Sequence, residues 1–124
     1  MLKTKEEIIE WLESYRVGNY IINDDLSVDV NESVDLENKK LENIPIQFNI
    51  VTGNFICSHN LLSSLEGSHR QVHRSMDCNT NKLTSLEYAP SEIGGVFNCG
   101  NNKLTSLKGS PVKVAAGFYC YNNP

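Results

Sequence analysis

At 124 residues the chain is long enough for one continuous core, and with 40% hydrophobic and 21% charged residues it falls outside the disordered class. No apolar run approaches the ~18 residues that a membrane span needs, so a membrane-spanning helix is not expected. The net charge of −4 divides into −7 over residues 1–37 (ten acids, three bases) and +3 over residues 38–124 (five acids, eight bases), without a polybasic tract, which argues against nucleic acid as partner.

The first predicted element is a helix. Thr4 and Glu7 have capping-box spacing, and Ile8, Trp11, Leu12 and Tyr15 follow on one helical face. Arg16 falls in the last turn and Gly18 fits the C-cap, so the helix is expected to end near residue 17. Acids stand where a signal peptide needs an apolar stretch, and a cytoplasmic location is the expectation. Residues 19–37 then read as strands of about three to five residues joined by Asn-Asp-Asp and Asn-Glu-Ser turns. Residues 1–35 are expected to form a cap that hides the sheet edge of the first coil.

Beyond the cap one period governs the chain. Cys57, Cys78, Cys99 and Cys120 are each 21 residues apart. Asn60, Asn81, Asn102 and Asn123 follow them at a fixed distance, and then come Leu62, Leu83 and Leu104 and Leu65, Leu86 and Leu107. Phe55, Met76, Phe97 and Phe118 precede the cysteines, with Val51, Val72, Ile93 and Val114 further upstream. An earlier, atypical coil has Leu36, Leu41 and Ile44 in these columns and Lys39 in place of the asparagine. Such spacing predicts a leucine-rich-repeat solenoid of about four coils over 36–124, mainly β, with short parallel strands and a right-handed superhelix. In F-x-C the outer two residues point inward along a strand, and the asparagine amide bonds backbone groups of neighbouring coils. Gly94-Gly95 suits a tight bend, and Pro90 and Pro111 punctuate the return segment.

The repeat unit from Phe97 to Pro111, FNCGNNKLTSLKGSP, resembles those of short leucine-rich-repeat proteins in tailed bacteriophages, and the lead-in from Asp25 to Ser58 is similar to theirs. The likeness covers about residues 5–124. It implies a right-handed solenoid working inside an infected bacterium and implies little about activity. The L-T-S-L units also resemble, more distantly, the repeats of secreted bacterial effectors that join a solenoid to a ubiquitin-ligase domain, for which this chain has no room. One coil departs from the A-P-x-x-V-G-G-x-F pattern, with histidines and arginines from His69 to Arg74 where proline and glycines are expected.

No chemistry stands out against this periodic background. Zinc sites use close cysteine pairs, so cysteines at a constant 21 read as small buried hydrophobes, although adjacent rungs about 5 Å apart leave adventitious oxidation open. Ser64, Ser85 and Ser106 share one column, which marks a structural task where an active site would be singular. The expectation is therefore no enzyme, no catalytic residues, no cofactor and no metal. His69, Arg70, His73 and Arg74 read as a solvated basic loop or as a contact for an acidic or phosphate-bearing partner.

The outward strand positions are Asp35, Ile56, Asp77, Asn98 and Tyr119, then Glu37, Ser58, Asn79, Gly100 and Tyr121. Among them Asp35, Glu37, Asp77, Asn98, Tyr119 and Tyr121 are candidate partner contacts, the tyrosines being either interface anchors or a cover for the last coil. The last coil stops before its leucines, so pairing of this end with a second copy as a homodimer, or with the partner, is also expected. The leading expectation is protein–protein recognition, with a host bacterial protein as partner. Inhibition of a host defence or regulatory protein and a virion-associated or oligomerisation role are the alternatives.

Overall fold

The structure is a computed structural model and describes residues 1–68 and 70–124; His69 lies outside them. The chain forms a β-solenoid of about four turns with short parallel strands and one N-terminal helix. That helix, α1 (Lys5–Ser14), starts where its capping box closes. The Glu7 amide donates to Thr4 Oγ1 at 3.2 Å, and the Thr4 amide donates to Glu7 Oε1 at 3.1 Å. The C-terminus corrects the expectation at Gly18. Arg16 takes the left-handed conformation (φ 58°), and the amides of Arg16 and Val17 donate back to the carbonyls of Glu13 and Leu12. This is a Schellman ending with arginine where glycine is usual, and buried Val17 supplies its apolar contact.

The buried face of α1, Ile8 and Leu12, lies on the first coil. Trp11 packs between Tyr15 and Phe48 at ring separations of 4.6 and 6.4 Å, and the Leu2 amide donates to the Pro45 carbonyl. Strands β1 (Tyr20–Ile22) and β2 (Val28–Val30) pair antiparallel, so β1 occupies the outer edge of the sheet that β2 begins. β1 thus satisfies one side of β2 and is itself the terminal strand of that sheet.

Every later pairing is parallel. β3 (Val34–Asp35), β5 (Phe55–Ile56), β7 (Met76–Asp77), β9 (Val96–Asn98) and β11 (Gly117–Tyr119) form a five-stranded sheet in chain order. Val34, Phe55, Met76, Phe97 and Phe118 stand opposite one another, each 21 residues on. The 21-residue register thus reaches back beyond Leu36 to Val34.

A second sheet replaces the expected return segment. β4 (Phe48–Val51), β6 (Gln71–Val72), β8 (Glu92–Ile93) and β10 (Lys113–Val114) extend β1 and β2 into six strands. Val30, Val51, Val72, Ile93 and Val114 face one another across it. The stretch read as a solvated loop around His73 therefore begins with a strand. Inward residues of both sheets meet in the core, where Phe48 and Phe55 pack edge to face at 5.2 Å.

The leucine-bearing segments close the third side. Leu62, Leu65, Leu83 and Leu86 are fully buried, and each contributes about 1.5–3 kcal/mol by leaving water. Glycines bring the coils together at the corner between the sheets. Gly94 has no positive φ, and what demands glycine there is proximity, because a Cβ would fall onto the His73 carbonyl oxygen.

The asparagine ladder supplies the polar half of the core. Asn81 Nδ2 donates to the carbonyls of Cys57 (3.0 Å) and Cys78 (3.1 Å), while Oδ1 accepts from the Leu62 amide at 3.0 Å. Asn60 repeats the pattern one coil earlier and Asn102 one coil later. Asn60 also accepts the amide of Lys39, the residue that occupies the asparagine column in the atypical coil. Each amide side chain thereby satisfies buried backbone groups of two coils at once.

Candidate recognition surfaces

The outer face of the five-stranded sheet carries Asp35, Ile56, Asp77, Asn98 and Tyr119 in register. Three of these spend a side-chain oxygen on the backbone. Asp35, Asp77 and Asn98 each accept the amide two residues on, from Glu37, Asn79 and Gly100 at 3.0 Å. These Asx turns steer the chain out of the strand, a structural task repeated from coil to coil. Glu37 faces His59 Nδ1 at 3.5 Å and accepts from the Ser58 hydroxyl at 3.3 Å. Ser58 itself is buried, and so is Gly100; neither is the outward position that strand alternation implies.

The two tyrosines differ from the rest of this face. Tyr119 and Tyr121 remain 51% and 49% exposed. A Cβ at Gly100 would meet the Tyr121 ring at 2.6–2.9 Å, so that ring lies against the preceding coil. Its hydroxyl accepts from Asn98 Nδ2 at 3.3 Å. Tyr121 is fixed by these contacts with half its surface free, while the Tyr119 ring leans over Gly117 of its own strand. Held aromatic surface of this kind is what interface anchors provide.

Three of the four residues of the basic cluster lie among the described residues. His69 lies outside the described residues. Arg70 precedes β6 and points toward the cap, donating from Nη1 to Asn49 at 3.3 Å with Asp25 at 3.9 Å. His73 and Arg74 are exposed past the far end of β6, at the corner leading to β7. Hydrogen bonds from the Ser27 hydroxyl and amide, with a smaller contribution from Arg70, hold the Asp25 carboxyl below its ordinary range.

The thiols are chemically quiet where they are buried. Cys57, Cys78 and Cys99 are fully covered, whereas Cys120 is exposed. Burial pushes the Cys57 and Cys78 thiols well above their ordinary value, and burial with the neighbouring Cys120 pushes Cys99 up to about 11. Protonated thiols are neither nucleophiles nor metal ligands. Among the described residues no group of three or more His, Cys, Asp or Glu side chains is placed to hold a metal ion, and no helix is long and apolar enough to cross a membrane. The serine column also serves the backbone, Ser64 Oγ accepting the Glu66 amide at 3.0 Å, with Ser85 and Ser106 placed alike.

Tyr88 departs from its column and was not anticipated. Alignment at 21 residues puts it between Gly67 and Gly109, both left-handed (φ 90° and 84°). Tyr88 keeps that conformation at φ 70° with its side chain exposed. It borders a cleft of about 300 Å³ shared with Gln47, Ser68, Arg70, Ala89 and Ser91. The signal was present in the sequence as the break in the glycine column.

Comparison with family models, with curated proteins and with solved structures finds no match for this chain.

Proposed function

We propose that the chain is a non-catalytic protein-recognition module: a leucine-rich-repeat-type solenoid of bacteriophage origin that acts on a host protein in the bacterial cytoplasm. The observation that carries this reading is the pair Tyr119 and Tyr121, half-exposed on the outer side of the five-stranded sheet with Tyr121 braced against Gly100. Tyrosine offers a large amphipathic contact at low conformational cost, and it is enriched among residues that dominate binding energy. The repeated polar positions support the same reading from the other side. The asparagine, serine and Asx columns are engaged with backbone, and the buried cysteines are held protonated.

Inhibition of a host defence or regulatory protein is one form that this recognition takes. A virion-associated or oligomerisation role is a second reading, favoured by the exposed apolar side chains of Leu107 and Val112. Affinity capture from bacterial lysate, with wild type and the Tyr119→Ala/Tyr121→Ala variant side by side, tests the leading reading. One protein retained in stoichiometric amount by wild type and lost by the variant is the expected result. Equal capture by both overturns the tyrosine face, and a mass that doubles with concentration in the absence of any partner favours the second reading.

A further inference from the structure

We infer that the cleft between Tyr88 and Arg70 is a contact site for an acidic peptide segment of a protein partner. The inference rests on the recognition reading but uses the side of the solenoid away from the tyrosine pair. Its starting point is a local conflict. In this column the fold calls for a left-handed residue, and Gly67 and Gly109 meet the requirement. At both glycines a Cβ would collide with backbone, of Ile44 and Ile46 in one case and of Leu86 and Glu87 in the other. Tyrosine therefore holds, at φ 70°, a position that the coils on either side give to glycine.

The strain brings no burial in return, since the Tyr88 side chain is 59% exposed. Residues held in sparsely populated backbone conformations cluster at ligand contacts and switch regions. Tyr88 is moreover held in place, its carbonyl accepting from the buried Ser68 hydroxyl at 3.0 Å.

The chemistry of the cleft follows from its neighbours. Arg70 brings a guanidinium with five N–H donors in a planar fork. Its contacts are loose: one 3.3 Å bond to Asn49 of β4 and an approach to Asp25 of the cap at 3.9 Å, beyond hydrogen-bond length. The backbone beneath it is fixed, because the Arg70 carbonyl accepts both the amide and the hydroxyl of Ser91, at 3.1 and 3.2 Å. On the far side, Gln47 Nε2 donates to the carbonyls of Phe48 and Ser68. An exposed aromatic side chain and a guanidinium with a single 3.3 Å hydrogen bond line one cleft of about 300 Å³, which fits a side chain ending in a carboxylate with an apolar neighbour on the ring.

Selection of short random peptides on the immobilised full chain supplies the probe. The best binder is then measured by calorimetry against wild type, Arg70→Glu, Arg70→Gln, Tyr88→Gly and Tyr119→Ala/Tyr121→Ala. A counterpart peptide with Asp and Glu replaced by Asn and Gln is measured alongside. The expected result is enrichment of acid-bearing peptides whose affinity falls at least about tenfold in the Arg70 variants, in Tyr88→Gly and in the amide counterpart, but not in the Tyr119/Tyr121 variant. Tyr88→Gly should also melt no lower than wild type, since glycine relieves the left-handed strain.

Several results overturn the inference: selected peptides without acids, undiminished binding to Arg70→Gln, or a lowered melting temperature for Tyr88→Gly. Binding lost only in the Tyr119/Tyr121 variant removes the cleft and leaves the recognition reading standing. Failure to select any peptide, together with failure to capture any protein from lysate, removes both.

Discussion

Asparagine is the residue on which the stack turns. A single amide both donates to two carbonyls and accepts an amide of the neighbouring coil, a double task that neither aspartate nor leucine performs. Asn81→Ala should therefore destabilise by on the order of 1–3 kcal/mol, because it strands buried backbone groups. Asn123→Ala should cost clearly less, since two of its bonds are exposed. Chemical denaturation of the two variants measures the difference.

The thiols give an independent check at the same scale. Near pH 8, Cys120 should react quickly with a thiol reagent, while Cys57, Cys78 and Cys99 should react only through unfolding, because burial both covers them and holds them protonated. The asparagine and cysteine columns were legible because one residue type recurs. The left-handed column one residue before the asparagine column (Lys39 in the atypical coil) was not. Asn38, His59, Thr80, Asn101 and Asn122 all have φ of 53–56°, yet three residue types share it and none is glycine.

At the scale of elements, the helix start was legible and its end was not. The Thr4–Glu7 pair is a local motif, so spacing alone reveals it, and Thr4→Ala should cost about 1 kcal/mol. Backbone bonds from Lys3, then the Thr4 side chain and amide, hold the Glu7 carboxyl below its ordinary value of 4.5. Its contribution to stability is thus fully present above that value and is lost as the pH falls through the lowered folded one; in Glu7→Gln this part of the acid destabilisation should vanish from thermal melts. The helix ends before Gly18 because Arg16 takes the left-handed turn and the amide of buried Val17 closes on the Leu12 carbonyl.

The second sheet was missed for a related reason. β6, β8 and β10 have two residues each, too few for alternation to show, and only their valine and isoleucine column was visible. In the leucine segments Leu83→Ala should cost about 2–5 kcal/mol as a core cavity. Leu107→Ala should cost far less, because Leu107 is 51% exposed.

For the whole molecule, coils laid down in chain order turn a sequence asymmetry into a spatial one. The −7 of residues 1–37 collects at the helix-capped end and the +3 of the remainder at the other. The candidate surfaces were only partly legible from sequence. Tyr119 followed from strand alternation, whereas Tyr121 lies beyond β11 in a column whose Ser58 and Gly100 are buried, and Arg70 and His73 flank opposite ends of one strand. The cleft at Tyr88 needed the fold, since only stacking brings residues 47, 68, 70, 88 and 91 together.

The central claim is that residues 21 apart face one another in two parallel sheets. Interstrand nuclear Overhauser contacts in the labelled protein test it most directly. The account predicts backbone contacts linking Phe55 to Met76 and Met76 to Phe97 in one sheet, and Val51 to Val72 and Val72 to Ile93 in the other. Contacts at another separation, or antiparallel patterns anywhere but between β1 and β2, would contradict it.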